Sequence, residues 1–240
     1  MDYQSYYRKS IEEPEAFWSE EAAKLQWYKF PKQILQHEGN EWNWYADGEM
    51  NTCYMAVDYH VENGRGDQVA IYYDSPVTDT KDSITFRELR DQVATFAGAR
   101  LGAIHSVVFG GFASHDLAIR INDAKPKLLL TSSCGIEIGK VIAYQPLIDA
   151  AIEEAKHKPD AVVVLHRPQA EFQMKEGRDL DWYAFQEGVE PADPVAVKAT
   201  DPLYILYTSG TTGQPKGVVR QNGGHAVAIA ARQGERIEGA

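Results

Sequence analysis

The stretch LYILYTSGTTGQPKG, residues 203–217, runs an apolar segment straight into a loop of small and hydroxylated residues. Positions 207–217 alone hold three glycines, three threonines, one serine and one lysine. LYILY reads as a buried strand. The loop after it has the chemistry of an anion cradle. Small residues let backbone N–H groups approach a phosphate chain, and glycines supply the unusual backbone angles this requires. The hydroxyls of Thr208, Ser209, Thr211 and Thr212 can donate to phosphate oxygens, and Lys216 can set a point charge beside them. At roughly 1.5–3 kcal/mol for each charge-assisted hydrogen bond, a handful would hold a triphosphate. The loop is not a Walker A motif. Counting from Gly210, Pro215 stands where the second glycine belongs and Gly217 replaces the metal-binding hydroxyl.

Upstream, short apolar strands alternate with amphipathic helices. QVAIYY (68–73), IHSVVF (104–109), KLLLT (127–131) and AVVVL (161–165) read as strands. ITFRELRDQVATFAG (84–98) reads as a helix, with Thr85 and Glu88 spaced for a capping box. Ser114 is placed to cap a helix through Asp123, with Leu117 and Ile121 on one face. LIDAAIEEAKHK (147–158) puts Leu147, Ile148, Ala151, Ile152 and Ala155 inward. The alternation predicts an α/β protein with a mainly parallel sheet and flanking helices. Residues 1–65 are rich in aromatics, among them Phe17, Trp18, Trp27, Trp42 and Trp44, and read as a segment packed on the main body. Residues 166–202, with Pro168, Pro191, Pro194 and Pro202, read as a surface excursion carrying one short helix around Asp181–Gln186.

The chain of 240 residues is 44% hydrophobic, with a formal net charge of -11. That charge, without a basic run to offset it, argues against nucleic-acid or anionic-membrane binding. No apolar run reaches membrane-spanning length. Two cysteines, Cys53 and Cys134, are too few for a disulfide framework and point to a reducing setting. A cytoplasmic location is expected, with a mitochondrial one left open. The oligomeric state is not legible. His105 and Cys134 read as structural, His225 has no neighbours at metal-ligand spacing, and no apolar pocket is suggested around Asp179 and Asp181.

YILYTSGTTGQPKGVV (204–219) resembles the signature loop of the AMP-forming acyl-CoA synthetases, members of the adenylate-forming superfamily. The likeness extends through DGEMNTCYMAVDYHV (47–61), IYYDSPVTDTKDSITFREL (71–89), ARLGAIHSVVFGGFAS (99–114) and SCGIEIGKVIAYQPLIDAA (133–151), all similar to the acetyl- and propionyl-CoA synthetase branch. YDSPVT and SCGIEIGK are closest to the propionyl type. The resemblance implies a short-chain carboxylate, propionate before acetate, activated with ATP and Mg²⁺ to an acyl-adenylate, then passed to coenzyme A. These small molecules are the implied partners. It implies that Thr208, Ser209, Gly210, Thr211, Thr212, Gly213 and Lys216 hold the outer phosphates. It implies that Gly110 and Gly111 let coenzyme A pass close to the backbone, and that Lys140 meets its 3′-phosphate, while Glu137 replaces a second basic residue.

The resemblance also marks two departures. ATFAGARLGAIHS (94–106) reads as a seam from which about 30 residues, the size of a small βα unit, are missing near 98–99. Leu89, Val93, Ala97, Leu101 and Ile104 keep helical spacing across it, predicting one helix from 85 to about 102. Residues 66–229 then read as a partial adenylation domain and 230–240 as an unrelated polar tail. The family's adenine-, ribose- and acyl-binding segments, its metal-supporting acid and its C-terminal lid domain lie beyond the matched part. On that basis the expected fold is an incomplete N-terminal domain of the adenylate-forming type. The chain itself is expected to be inactive or nearly so; the alternative to an enzyme is a non-catalytic splice or truncation product, or a gene-model fragment.

Overall fold

The computed structural model describes residues 2–96, 98, 100–111, 113–208 and 215–237, with side chains described as far as Arg232. Helices α1 (Tyr3–Glu12) and α2 (Pro14–Ala22) open the chain. Asp2 caps α1 by accepting from the Ser5 N–H, and Pro14 sits at the start of α2, where its missing donor costs nothing. Phe17, wholly buried, takes the edge of Tyr6 at 4.6 Å and that of Trp18 at 5.0 Å between ring centroids. Hairpin β1 (Leu35–Glu38) and β2 (Glu41–Trp44) leads to β3 (Glu49–Met50) and two wide helical turns, Tyr54–Asp58 and Val61–Arg65.

β4 (Val69–Ser75) and β5 (Thr80–Thr85) pair antiparallel and deliver the chain to α3 (Phe86–Thr95). The capping box is present as predicted. The Thr85 hydroxyl accepts from the Glu88 N–H, and the Glu88 carboxylate accepts from the Thr85 N–H at 2.8 Å. The single helix predicted to reach residue 102 does not form. Its backbone leaves the helical region at Phe96 (φ -97°, ψ 64°), and Gly98 and residues 100–102 lie in turns, with Gly102 at φ +76°. Ala97 and Ala99 lie outside the described residues. Tertiary contacts override the local spacing here. The Phe96 ring stacks on Trp182 at 5.1 Å, and Arg100 is drawn into a buried ion pair with Asp58.

IHSVVF is likewise not a strand. Only His105 pairs, in a parallel bridge to Tyr204, while Val107 and Phe109 are 78% and 70% exposed. An extended segment without a neighbouring ladder has nowhere to place its backbone groups or its apolar side chains. α4 (Ser114–Ala124) begins one residue earlier than predicted, with Ala113 and not Ser114 at the cap position.

β6 (Leu128–Ser132), hairpin β7 (Cys134–Glu137) and β8 (Lys140–Ala143), α5 (Gln145–Glu154) and β9 (Ala161–Leu165) follow. The excursion expected over 166–202 in fact supplies β10 (Asp179–Asp181), which pairs parallel with β9, then α6 (Trp182–Gln186) and β11 (Val197–Lys198). The three-stranded parallel sheet has the order β10-β9-β6. Its central strand is buried on both faces, with Val162, Val163 and Val164 fully covered, which is why AVVVL is a continuous apolar run. Ile121, Ile148, Ala151 and Ile152 from α4 and α5 cover one side of it together with Phe172. The α/β architecture stands. Parallel pairing among the described strands is confined to this sheet and the His105–Tyr204 bridge, and the other ladders are antiparallel.

β12 (Pro202–Thr208) and β13 (Lys216–Gln221) form an antiparallel pair, and α7 (Asn222–Ile237) closes the described chain. Residues 230–237, expected to open a separate polar tail, continue α7, and Ala231 is buried. Val227 of α7 meets Ala22, Tyr45 and Ala199 in a second core cluster, so the aromatic N-terminal stretch is seated on the C-terminal helix.

Candidate functional site

The loop singled out in the sequence joins β12 to β13. Their register sets Leu206 opposite Val218, Tyr207 opposite Gly217 and Thr208 opposite Lys216. Thr208 and Lys216 therefore face each other at the open end of the ladder, both exposed. Among the described residues Lys216 forms no ion pair, which leaves its ammonium group available to an anion. Ser209, Gly210, Thr211, Thr212 and Gly213 lie outside the described residues.

One strand position below Thr208, the Tyr207 hydroxyl donates to Asp123 Oδ2 at 2.6 Å. Partial burial first, then this bond, holds the phenol well above its usual range, so it remains a donor at any ordinary pH. The guanidinium of Arg120, one helical turn before Asp123, lies 5.5 Å from the Tyr207 ring centroid. Its Nη1 donates to the Asp116 carbonyl at 2.6 Å. Gly217 packs close to the same group; a Cβ there would stand 3.3 Å from the Tyr207 ring and 3.4 Å from Asp123 Oδ2. Sequence reasoning placed Asp123 only as a helix end and missed Arg120. No local pattern connects them to Tyr207, which lies 84 residues from Asp123.

Gly110 and Gly111 sit in the irregular segment before α4. A Cβ on Gly110 would fall 2.1 Å from the Tyr144 hydroxyl oxygen, and one on Gly135 would fall 2.2 Å from it. At Gly111 the crowding neighbour is Phe109, 2.5 Å from the ring. The open face of Gly110 is occupied here by the Tyr144 side chain. Lys140 begins β8 opposite Glu137, exposed at the turn of the β7–β8 hairpin. It is two strand positions beyond Ile142, the partner of Gly135, or about 7 Å at the rise of a strand. The hairpin thus links Lys140 to the glycine pair through Gly135 and Tyr144.

The remaining polar candidates have structural roles. Asp179 is buried and paired with Arg178, and Asp181 caps α6 by accepting from the Tyr183 and Ala184 N–H groups. Cys134 is fully buried in β7. The His225 ring meets Tyr204 edge-on, with centroids 5.0 Å apart. Among the described residues no three or more His, Cys, Asp or Glu side chains could hold a metal ion. No step below passes through the magnesium ion that the resemblance implies. No described helix is long and apolar enough to cross a membrane.

The mixed α/β architecture matches the N-terminal portion of the adenylate-forming synthetase fold. The chain belongs to the family of AMP-binding enzymes, whose model matches residues 92–238, and residues 3–56 match the acetyl-coenzyme A synthetase N-terminus. An uncharacterized protein of Pseudomonas aeruginosa is 49% identical over 261 residues, covering 95% of this chain and 41% of its own length. The mitochondrial acyl-CoA synthetase short-chain family member 3 of Rattus norvegicus is 42% identical, covering 95% and 38%. The propionate–CoA ligase of Escherichia coli is 37% identical, covering 96% and 42%. Among solved structures, acetoacetyl-CoA synthetase from Streptomyces lividans shares the fold, with a TM-score of 0.81 over 98% of this chain and 40% of its own, at 22% identity.

The chain thus spans about 40% of the length of the relatives it matches. Since 95% of 240 residues is about 228, about 33 of the 261 positions aligned with the Pseudomonas protein face no residue of this chain.

Proposed function

We propose that this chain carries the phosphate-binding part of a short-chain acyl-CoA synthetase, with propionate as the preferred acid and acetate as the second. The observation that carries this reading is the pairing of Thr208 with Lys216 at the mouth of the β12–β13 loop. That pairing sets a hydroxyl and an ammonium group on one opening, with the glycines and threonines of 209–213 between them in the chain. ATP would place its β- and γ-phosphates in this opening. A carboxylate oxygen of the acid attacks the α-phosphorus and pyrophosphate leaves. The sulfur of coenzyme A then attacks the acyl carbonyl and AMP leaves. Both steps build or relocate negative charge, so the share of these residues is positioning and charge stabilisation. Lys216 supplies the fixed positive charge, and Thr208, with Ser209, Thr211 and Thr212, supplies donors. Gly110, Gly111 and Lys140 are proposed for coenzyme A, whose entry would displace the Tyr144 hydroxyl from the Gly110 surface.

A second reading is a non-catalytic product of the same lineage. It is favoured by the exposure of Val107 and Phe109 beside a turn where a helix was expected, and by the roughly 33 aligned positions that face no residue of this chain. Propionate-dependent exchange of labelled pyrophosphate into ATP separates the two. The enzyme reading expects exchange that Lys216→Ala reduces by at least tenfold, with acetate supporting a lower rate. Absence of exchange from a chain that unfolds cooperatively favours the second.

A further inference from the structure

We propose that residues 105–109 are a strap poised to close: they zip onto the open edge of β12 as a parallel strand, with His105 opposite Tyr204, Val107 opposite Leu206 and Phe109 opposite Thr208. This goes beyond the proposed function and needs no ligand.

The first rung is already made. The Ile205 N–H donates to the His105 carbonyl at 2.9 Å, and the His105 N–H donates to the Leu203 carbonyl at 3.4 Å. These two bonds are the parallel bridge between His105 and Tyr204. β13 takes one edge of β12, so the bridge marks the other. The bonds of a parallel ladder recur every two residues. The next rungs therefore run from the Val107 N–H to the Ile205 carbonyl, from the Tyr207 N–H to the Val107 carbonyl, and from the Phe109 N–H to the Tyr207 carbonyl. Among the described residues the Val107 backbone forms no hydrogen bond, so closing breaks none there.

The strap already has the period of a strand. His105, Val107 and Phe109 are exposed, while Ser106 and Val108 between them are half-buried. That alternation belongs to an extended chain with one side seated. Closing then asks for a shift of the segment and not for a new conformation.

β12 in turn loses its cover where the bridge ends. Residues 202–205 are half-buried, whereas Leu206 is 48% exposed and Thr208 is exposed. In the closed register Val107 and Leu206 lie side by side on one face, and each covers the other. Glycines stand at both ends of the strap, Gly102 at φ +76° before it and Gly110 with Gly111 after it, where the chain can turn without a Cβ to obstruct it. Closing fixes Gly110, the residue after Phe109, beside the end of β12.

Hydrogen exchange read by mass spectrometry on the 240-residue chain tests this with two proline variants. Only Val107 of the pair Val107 and Val108 turns its N–H toward β12 in the closed register. Val107→Pro removes a rung, whereas Val108→Pro places its ring on the outer edge, where a strand tolerates it. Expected in the parent is protection of roughly tenfold or more over the unstructured rate for the amides of 105–109. Val108→Pro should keep that protection at the remaining amides, and Val107→Pro should abolish it. If Val107→Pro is poorly folded, a cysteine pair carries the test. A short bifunctional thiol reagent should join Val107→Cys to Leu206→Cys within one chain, and should fail to join Val108→Cys to Leu206→Cys. Exchange of 105–109 at the unstructured rate in the parent overturns the strap. So does equal loss of protection in the two proline variants, equal crosslinking of the two cysteine pairs, or crosslinks that form only between chains.

Discussion

Asp58 and Arg100, 42 residues apart in the chain, form an ion pair almost wholly withdrawn from water. Asp58 comes from the helical turns after β3, and Arg100 from the turn that ends α3. Asn51 braces the same corner, its side-chain amide donating to the carbonyls of Arg100 at 2.9 Å and Val195 at 2.8 Å. Burial raises the Asp58 carboxyl above its ordinary pKa, against the pull of Arg100. Among the described residues Asp58 Oδ2 and Arg100 Nε have no hydrogen-bond partner, so the pair is incompletely satisfied there.

Breaking such a pair strands a charge in the interior. Asp58→Ala is expected to destabilise the fold by about 3–5 kcal/mol, read as a lower urea midpoint. The double change Asp58→Leu with Arg100→Met removes both charges and should lie closer to the parent than either single change. Equal or greater loss in the double variant would show that the ion pair itself, and not the avoidance of a lone charge, sustains this corner.

Tyr144 fills the space that the missing Cβ atoms of Gly110 and Gly135 leave open. Gly110→Ala is expected to cost ~1–3 kcal/mol through overpacking. In a Tyr144→Ala background the same change should cost much less. Denaturant titration of the four proteins in this cycle reads the coupling, and additive effects would mean that Gly110 is required for its backbone and not for the approach of Tyr144.

His60 and His225 are half-buried, and both have pKa values below that of a free imidazole. For each, burial is the larger cause and a nearby arginine the smaller, Arg65 for His60 and Arg220 for His225. The unfolded chain therefore binds more protons than the folded one around pH 6. These two side chains contribute stability above the unfolded value of about 6.5 that is lost as pH falls through their depressed folded values. The urea midpoint should fall between pH 7.5 and pH 5.5, and His60→Gln with His225→Gln should flatten that part of the curve. A midpoint that rises on acidification would contradict the assignment.

Val107 and Phe109 present an apolar stretch to solvent just where a strand was expected. Contiguous exposed apolar side chains favour self-association. The chain should bind a hydrophobic dye in its native state and scatter light increasingly with concentration. Val107→Lys with Phe109→Lys should reduce both effects without lowering the thermal midpoint by more than a few degrees. Dye binding unchanged by the pair of substitutions would place the sticky surface elsewhere.

What could be read from the sequence is what nearest neighbours along the chain encode. The Thr85–Glu88 capping box, the doubly buried AVVVL strand, the inward face of α5 and the strand entering the 207–217 loop all follow from spacing within a few residues. The family was legible for the same reason, since contiguous residues carry its motif. Only the folded chain decided the rest. The end of α3 depends on Phe96 finding Trp182 and Arg100 finding Asp58. IHSVVF has the composition of a strand, but a strand exists only where another backbone lies beside it, and one bridge to Tyr204 is not enough. The Tyr207–Asp123 bond joins residues with no local sign of each other. Periodicity records which side of an element will be buried, while the partner that buries it is set by distant parts of the chain, where loop closure and packing leave no trace in local spacing.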